Sequence, residues 1–297
     1  MLSSAIFLQH EMRIGNGDMW TVERPVADVA DTFRTCVSKI RSAELRRRLI
    51  SVEPDIAAAS ADYKLHAMNR TLNLIGASDS VGGIVTKDEM VNVYDRRMAA
   101  KKSPGRPIYD KIKLLPKGDR CPFCDQRNVS TLDHILPKGL YPTLAVTPLN
   151  LVGACMECNK AKLSIAPKNS DEVVLHPYFD DISGEQWLVA RVVRQSPCAI
   201  IFDIKPPTSW DNLTETRARK QFILLKLSYL YSSEAARELA NIRHNLDSHL
   251  EAGGPAAVRS ELMRQWRSRR ENRLNSWQTA MYEAIAHDSW FCNGGFR

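Results

Sequence analysis

The sequence predicts a mainly α-helical protein built round a small metal-tied core, with a short β-hairpin beside it. Three observations carry this. Apolar residues recur at helical spacing across residues 25–76 and again from Ser209 onward. Two Cys-x-x-Cys pairs bracket a compact stretch rich in Pro, Gly and Asn. Two β-rich runs, Trp187–Arg194 and Ala199–Lys205, are parted by a turn at Gln195–Cys198. The expected organisation is a helical N-terminal region with a basic linker (1–119), the cysteine-tied core (120–182), the hairpin (183–208) and a helical C-terminal region (209–297).

Along the chain, Val29, Phe33, Cys36, Ile40 and Leu45 recur as one face of a helix requires. Pro54 has its φ already set and no N–H to lose, so it can open a second, alanine-rich helix towards Leu74. Gly76–Gly83 reads as a loop. Thr86 followed by Glu89 is a capping-box pattern for a helix through about Met98. Residues 96–120 then carry Arg96, Arg97, Lys101, Lys102, Arg106, Lys111, Lys113, Lys117 and Arg120 against Asp110 and Asp119. A solvated connector and a phosphate-binding arm are both open for this basic linker, and its position beside the core favours the arm. Beyond the hairpin, Leu213, Phe222, Leu225, Leu227 and Leu230 outline one helix. Ala235–Leu250 outlines a second, ended by Gly253 and Gly254, and Pro255 opens a long one towards Trp290. The arginines of that last helix (259, 264, 267, 269, 270 and 273) read as a charged outer face, with a nucleic-acid face as the alternative.

The 41 Lys and Arg outnumber the 34 Asp and Glu, a modest excess whose sign suits a polyanionic partner. Seven cysteines make no even disulfide set, and two Cys-x-x-Cys pairs point to metal in a reducing compartment. The initial MLSSAIFLQHEMRIG lacks a basic start and is interrupted by Gln9, His10 and Glu11, which fits neither a signal peptide nor an anchor. No run reaches the roughly 18–20 apolar residues of a membrane span. The expectation is a soluble cytoplasmic protein with no membrane partner.

Cys121 and Cys124, with Cys155 and Cys158, form two knuckles. A two-residue gap lets both thiolates of a pair turn to one ion, and a structural zinc takes four such ligands in a tetrahedron. Four thiolates leave no open position for water, so this knot is a frame and not a catalyst. The insert it closes is too small for a core of its own.

That insert and its exit read Asp133-His134-Ile135-Leu136-Pro137-Lys138, Tyr141-Pro142, Asn150-Leu151-Val152 and Cys158-Asn159-Lys160-Ala161-Lys162. Residues 120–180 here resemble the HNH nuclease family in its ββα-metal form with a four-cysteine zinc frame. The resemblance implies that Asp133 and Asn159 hold a catalytic Mg²⁺ or Mn²⁺ and that His134 takes the proton of the attacking water. It also implies that Asn150 ties the loop to the strand and orients His134. The third letter of the family name is Asn159 here, which removes an imidazole ligand and leaves the metal preference open. Lys162, one helical turn past Asn159, and Lys138 are candidates to meet a phosphate, a surface lysine being the alternative for Lys162. His176, in His176-Pro177-Tyr178-Phe179, reads as part of a packed turn, with a metal or substrate contact as the alternative.

One difficulty is visible at once. Neighbouring strand residues point to opposite faces, so Asp133 and His134 serve one site only if the backbone bends or the metal sits to one side. The expected function is a metal-dependent endonuclease with nucleic acid, DNA before RNA, as its substrate. A looser resemblance is to HNH effectors of bacterial defence systems, which implies a partner ATPase or sensor. A homodimer would let two single cuts make a double-strand break. The alternatives are a tRNA-directed nuclease and a zinc-dependent nucleic-acid-binding module without catalysis.

Overall fold

A computed structural model describes residues 22–162 and 166–297, so the initial apolar run read above lies outside the described residues. The described residues form a mainly helical fold with three small antiparallel two-stranded sheets. The periodic run expected as one helix forms two, α1 (Val29–Val37) and α2 (Ala43–Ser51). Asp28 caps the first and Ser42 the second, each side chain accepting an otherwise orphaned backbone N–H. Pro54 lies in the first turn of α3 (Glu53–Met68). That helix stops short of the expected Leu74, because Arg70 takes a left-handed φ of 58°. The expected loop at 76–83 contributes β1 (Ser80–Val81), which pairs with β2 (Val85–Thr86). Both halves of the Thr86/Glu89 capping box are formed at the start of α4 (Lys87–Asn92), which runs on as a π-helical turn over Val93–Ala99.

The basic stretch expected as a linker is partly a helix, α5 (Arg106–Lys113), with Tyr109 and Ile112 buried. It leads to a close approach on the core. A Cβ on Gly153 would lie 2.8 Å from the Lys113 carbonyl oxygen, so no larger residue fits there. The core itself is β3 (Thr131–His134) paired with β4 (Leu151–Ala154), followed by α6 (Met156–Ala161).

The C-terminal region begins with the expected hairpin, β5 (Leu188–Val193) and β6 (Ala199–Ile204). The single helix expected over 213–230 is two. α7 (Asn212–Leu224) ends where Lys226 turns left-handed at φ 52°, and α8 (Leu227–Asn272) starts there. α8 is interrupted as expected at Gly253 (φ -150°, ψ 17°) and Gly254 (φ 65°, ψ -163°), both outside helical geometry, and Pro255 opens its second part. The long helix expected to reach Trp290 stops at Asn272. Ser276 caps a separate α9 (Trp277–His287), accepting the Thr279 N–H. No described helix is long and apolar enough to cross a membrane.

Two hydrophobic clusters fill the molecule, and the β3–β4 sheet lies between them. Leu132 and Leu151 belong to the N-terminal cluster with Phe33, Met90, Met98 and Ile112. Val152 and Ala154 belong to the larger cluster, which includes the cysteines and the C-terminal helices. Opposite faces of two short strands thus pack on opposite cores, as the two-residue period demands. The backbone groups at the sheet's edges are met by tyrosines. The Tyr109 hydroxyl accepts the Leu132 N–H at 3.2 Å, and the Tyr178 hydroxyl donates to the Leu151 carbonyl at 2.7 Å.

α7 holds the segment after the core through a buried ion pair. Arg217 meets Asp180 at 2.7 Å and donates to the Val173 and Val174 carbonyls. Removing the guanidinium would strand the carboxylate and two carbonyls, a loss on the order of 3–5 kcal/mol. Urea unfolding of Arg217→Leu should therefore show a midpoint well below wild type, and an unchanged midpoint would refute the clamp.

Candidate active-site cleft and cysteine cluster

The ligand atoms of Cys121, Cys124, Cys155 and Cys158 all lie within 4.8 Å of one another, and all four residues are buried. Tetrahedral zinc with Zn–S bonds of about 2.3 Å needs sulfurs about 3.8 Å apart. The Cys124–Cys155 separation of 4.0 Å is close to that. The first knuckle is shaped by a left-handed Asp125 (φ 48°), and the second by Cys155, whose sulfur caps α6. Cys121 and Cys158 pull the Cys155 thiol below its ordinary range, against Cys124 and burial. The cluster can hold a metal such as zinc. The C-terminal helices grip it: the Tyr231 hydroxyl donates to the Cys124 carbonyl at 3.1 Å, and the Trp277 indole donates to the Gln126 side chain at 2.8 Å.

Asp133, His134 and Asn159 line one cleft of about 610 Å³. The register pairs Asp133 with Val152 and His134 with Leu151, so the two residues do face opposite sides of the sheet. They reach a shared space because His134 is the last residue of β3 and the cleft opens round that strand end. Its other wall comes from the N-terminal helices, through Tyr94, Asp95 and Tyr109, which the sequence did not single out. They belong to a different periodic segment, and only contact reveals them.

The His134 Nε2 lies 2.9 Å from the Ala145 carbonyl oxygen. A carbonyl can only accept, so Nε2 carries the proton and Nδ1 is left as the acceptor. Burial lowers the imidazole to about 3, with Lys138 and Lys162 adding to the effect and the Ala145 carbonyl opposing it. Asn150 is wholly buried and holds the loop that presents that carbonyl. Its Oδ1 accepts the Leu136 N–H at 2.8 Å, and its Nδ2 donates to the Leu136 and Leu144 carbonyls.

Asp133 is buried, and its carboxylate accepts from Lys162 Nζ at 2.7 Å. Burial raises the carboxyl above its ordinary range, against the pull of the Lys162 ammonium. Lys162, read from the sequence as a phosphate contact or a surface lysine, is not a surface lysine: its side chain is 6 % exposed and pairs with Asp133. Lys138 lines the cleft, ion-paired to Asp95 and lying over the Tyr94 ring. His176 lies away from the cleft lining. It is buried, with Nε2 3.0 Å from the Tyr63 hydroxyl and Nδ1 accepting the Tyr178 N–H at 3.2 Å. Both ring nitrogens are therefore committed to packing, and burial holds its imidazole well below the usual histidine range. Of the α8 arginines, Arg264 pairs with Glu261 and Arg269 with Glu238, while Arg273, just past the helix, pairs with the buried Asp125.

No family model matches the chain, and no solved structure matches it significantly. It is similar to protein ea31 of Escherichia phage lambda, 27% identical over 291 residues, which covers 91% of this chain and 98% of that protein. It is also similar to Septu protein PtuB of Bacillus thuringiensis, 26% identical over 156 residues. That match covers 50% of this chain and 57% of PtuB, so it spans little more than half of that relative.

Two outcomes follow from this geometry. Cys155→Ser should lose bound zinc, read by elemental analysis, and melt at a lower temperature, since structural zinc binding is itself folding free energy. Wild-type zinc content and melting would contradict the frame. Stability should also fall with acidity. His134 and His176 bind protons less readily folded than unfolded, so their contribution is complete above the unfolded value of about 6.5 and is lost as pH falls from there towards their folded values. The buried His176 adds a slope of up to about 1.4 kcal/mol per pH unit below that point, and His134, half-buried at the cleft, adds less. Urea unfolding between about pH 7 and 4.5 should show it, with a shallower slope in His176→Asn; a flat profile would count against the neutral His176 ring.

Proposed function

We propose that the chain is a metal-dependent HNH-type endonuclease hydrolysing phosphodiester bonds, with DNA the favoured substrate. The observation that carries the reading is the shared cleft, in which a carboxylate, an amide side chain and an imidazole of fixed tautomer line one space. A binding module has no use for such a set.

The chemistry divides among these residues. With Nε2–H committed to Ala145, Nδ1 of His134 is the lone pair that can take a proton from an attacking water. Burial makes the ring a weak base at rest, and an anionic phosphate brought beside it raises its proton affinity. Asp133 and Asn159 offer hard oxygens suited to Mg²⁺ or Mn²⁺, and an ion held there would share the Asp133 carboxylate with the Lys162 ammonium. When bound, that ion would neutralise the phosphate and stabilise the departing oxygen. Lys162 restrains the Asp133 carboxylate and balances its charge. Ala99 lines the cleft, and the exposed Lys101 and Lys102 follow it, which suits a polyanionic strand.

The biological reading is an effector of a bacterial defence system, working with a partner ATPase or sensor. The likeness to Septu protein PtuB supports it at the level of a distant relative.

Purified protein is incubated with plasmid, single-stranded DNA and tRNA in Mg²⁺ or Mn²⁺. Cleavage is expected on DNA, and His134→Ala should lower its rate by on the order of 10²–10⁴ with zinc retained. Cleavage untouched by that substitution would remove His134 as the base. Preference for tRNA would move the substrate to RNA, and binding without cleavage would favour the non-catalytic module.

A further inference from the structure

We propose that Tyr94, supplied by the N-terminal helices and not by the cysteine-tied core, is a positioning residue that sets the plane of the His134 imidazole. Its functional consequence rests on the nuclease reading above, while the contact itself does not.

One hydrogen bond cannot fix a ring. The Nε2–Ala145 bond anchors one atom of the His134 imidazole and leaves the ring free to tilt about it. Tyr94 provides the second constraint. Its ring centroid lies 4.5 Å from that of His134 with the planes at 69°, an edge-to-face contact that disfavours tilt in either direction. Tyr94 is itself held. It is 5% exposed, and the Lys138 ammonium stands 4.5 Å from its centroid on the aromatic ring. Lys138 is in turn paired with Asp95, the next residue of the same π-helical turn. Such turns re-aim side chains relative to an α-helix, and here Tyr94 and Asp95 both line the cleft with His134. The chain Asp95–Lys138–Tyr94–His134 therefore runs from one structural unit to the other and ends on the ring whose Nδ1 must face the reacting water.

The constraint comes from the aromatic ring and not from the hydroxyl, which sets the test. Protein labelled with ¹⁵N-histidine is compared at one pH above the range of free imidazole for wild type, Tyr94→Phe, Tyr94→Leu and Tyr94→Met. Single-turnover cleavage is measured alongside. Tyr94→Phe should keep both the Nε2-protonated signature of His134 and the rate. Tyr94→Leu should shift His134 towards a mixture of tautomers and slow cleavage by on the order of tenfold to a hundredfold, with substrate affinity unchanged. Tyr94→Met fills the volume without a ring, and it answers the question if the leucine variant fails to fold. Unaltered His134 signals and rate in the folded non-aromatic variant would overturn the proposal. If the wild type cuts nothing yet the His134 signals still move, the positioning stands and the nuclease reading falls.

Discussion

Two strands of four residues cannot hold a shape in water; a sheet this small borrows its order from what packs on it. β3 and β4 are clamped between two hydrophobic clusters, with Leu132 and Leu151 in one and Val152 and Ala154 in the other. The rest of the candidate site depends on that clamp. Because the faces are committed to different cores, Asp133 turns towards α6 and Lys162, while His134 turns towards Tyr94 and the N-terminal helices. A slip of one residue would exchange them and bury the wrong side chains.

Each half of the clamp is tied to the sheet by polar contacts that an apolar core cannot supply. Tyr109 from α5 and Tyr178 from the segment after the core satisfy backbone groups of β3 and β4. The cysteine cluster fastens α6 to the first knuckle, and Tyr231, Arg273 and Trp277 fasten that knuckle to the C-terminal helices. Arg217 does the same for the segment carrying His176. The flanking helices are thus parts of the cleft's support, and Tyr94 makes the N-terminal set part of the cleft itself.

Helix existence was legible along most of the described chain, because amphipathic spacing and caps are local signals. Thr86 with Glu89, Pro54 and the two Cys-x-x-Cys knuckles could be read directly. Boundaries were less legible. The break at Lys226 and the stop at Asn272 depend on which neighbour each turn meets, whereas the interruption of α8 at Gly253 and Gly254 was legible in the glycines themselves. The basic stretch after Met98 read as a linker because its charges mask the two buried residues, Tyr109 and Ile112, that dock it.

By itself the sequence offered the four thiols through their spacing, and Asp133, His134, Asn150 and Asn159 as candidates through the family resemblance of the motifs that carry them. Short-range spacing suffices for the knuckles. Tertiary structure alone decided how they are used. Lys162 turns onto Asp133, His176 is spent on packing with Tyr63 and Tyr178, and Tyr94 arrives against His134 from a distant segment. Those are contacts between residues far apart in the chain, and no local pattern encodes which of the many cations and aromatic rings will meet which face of a sheet.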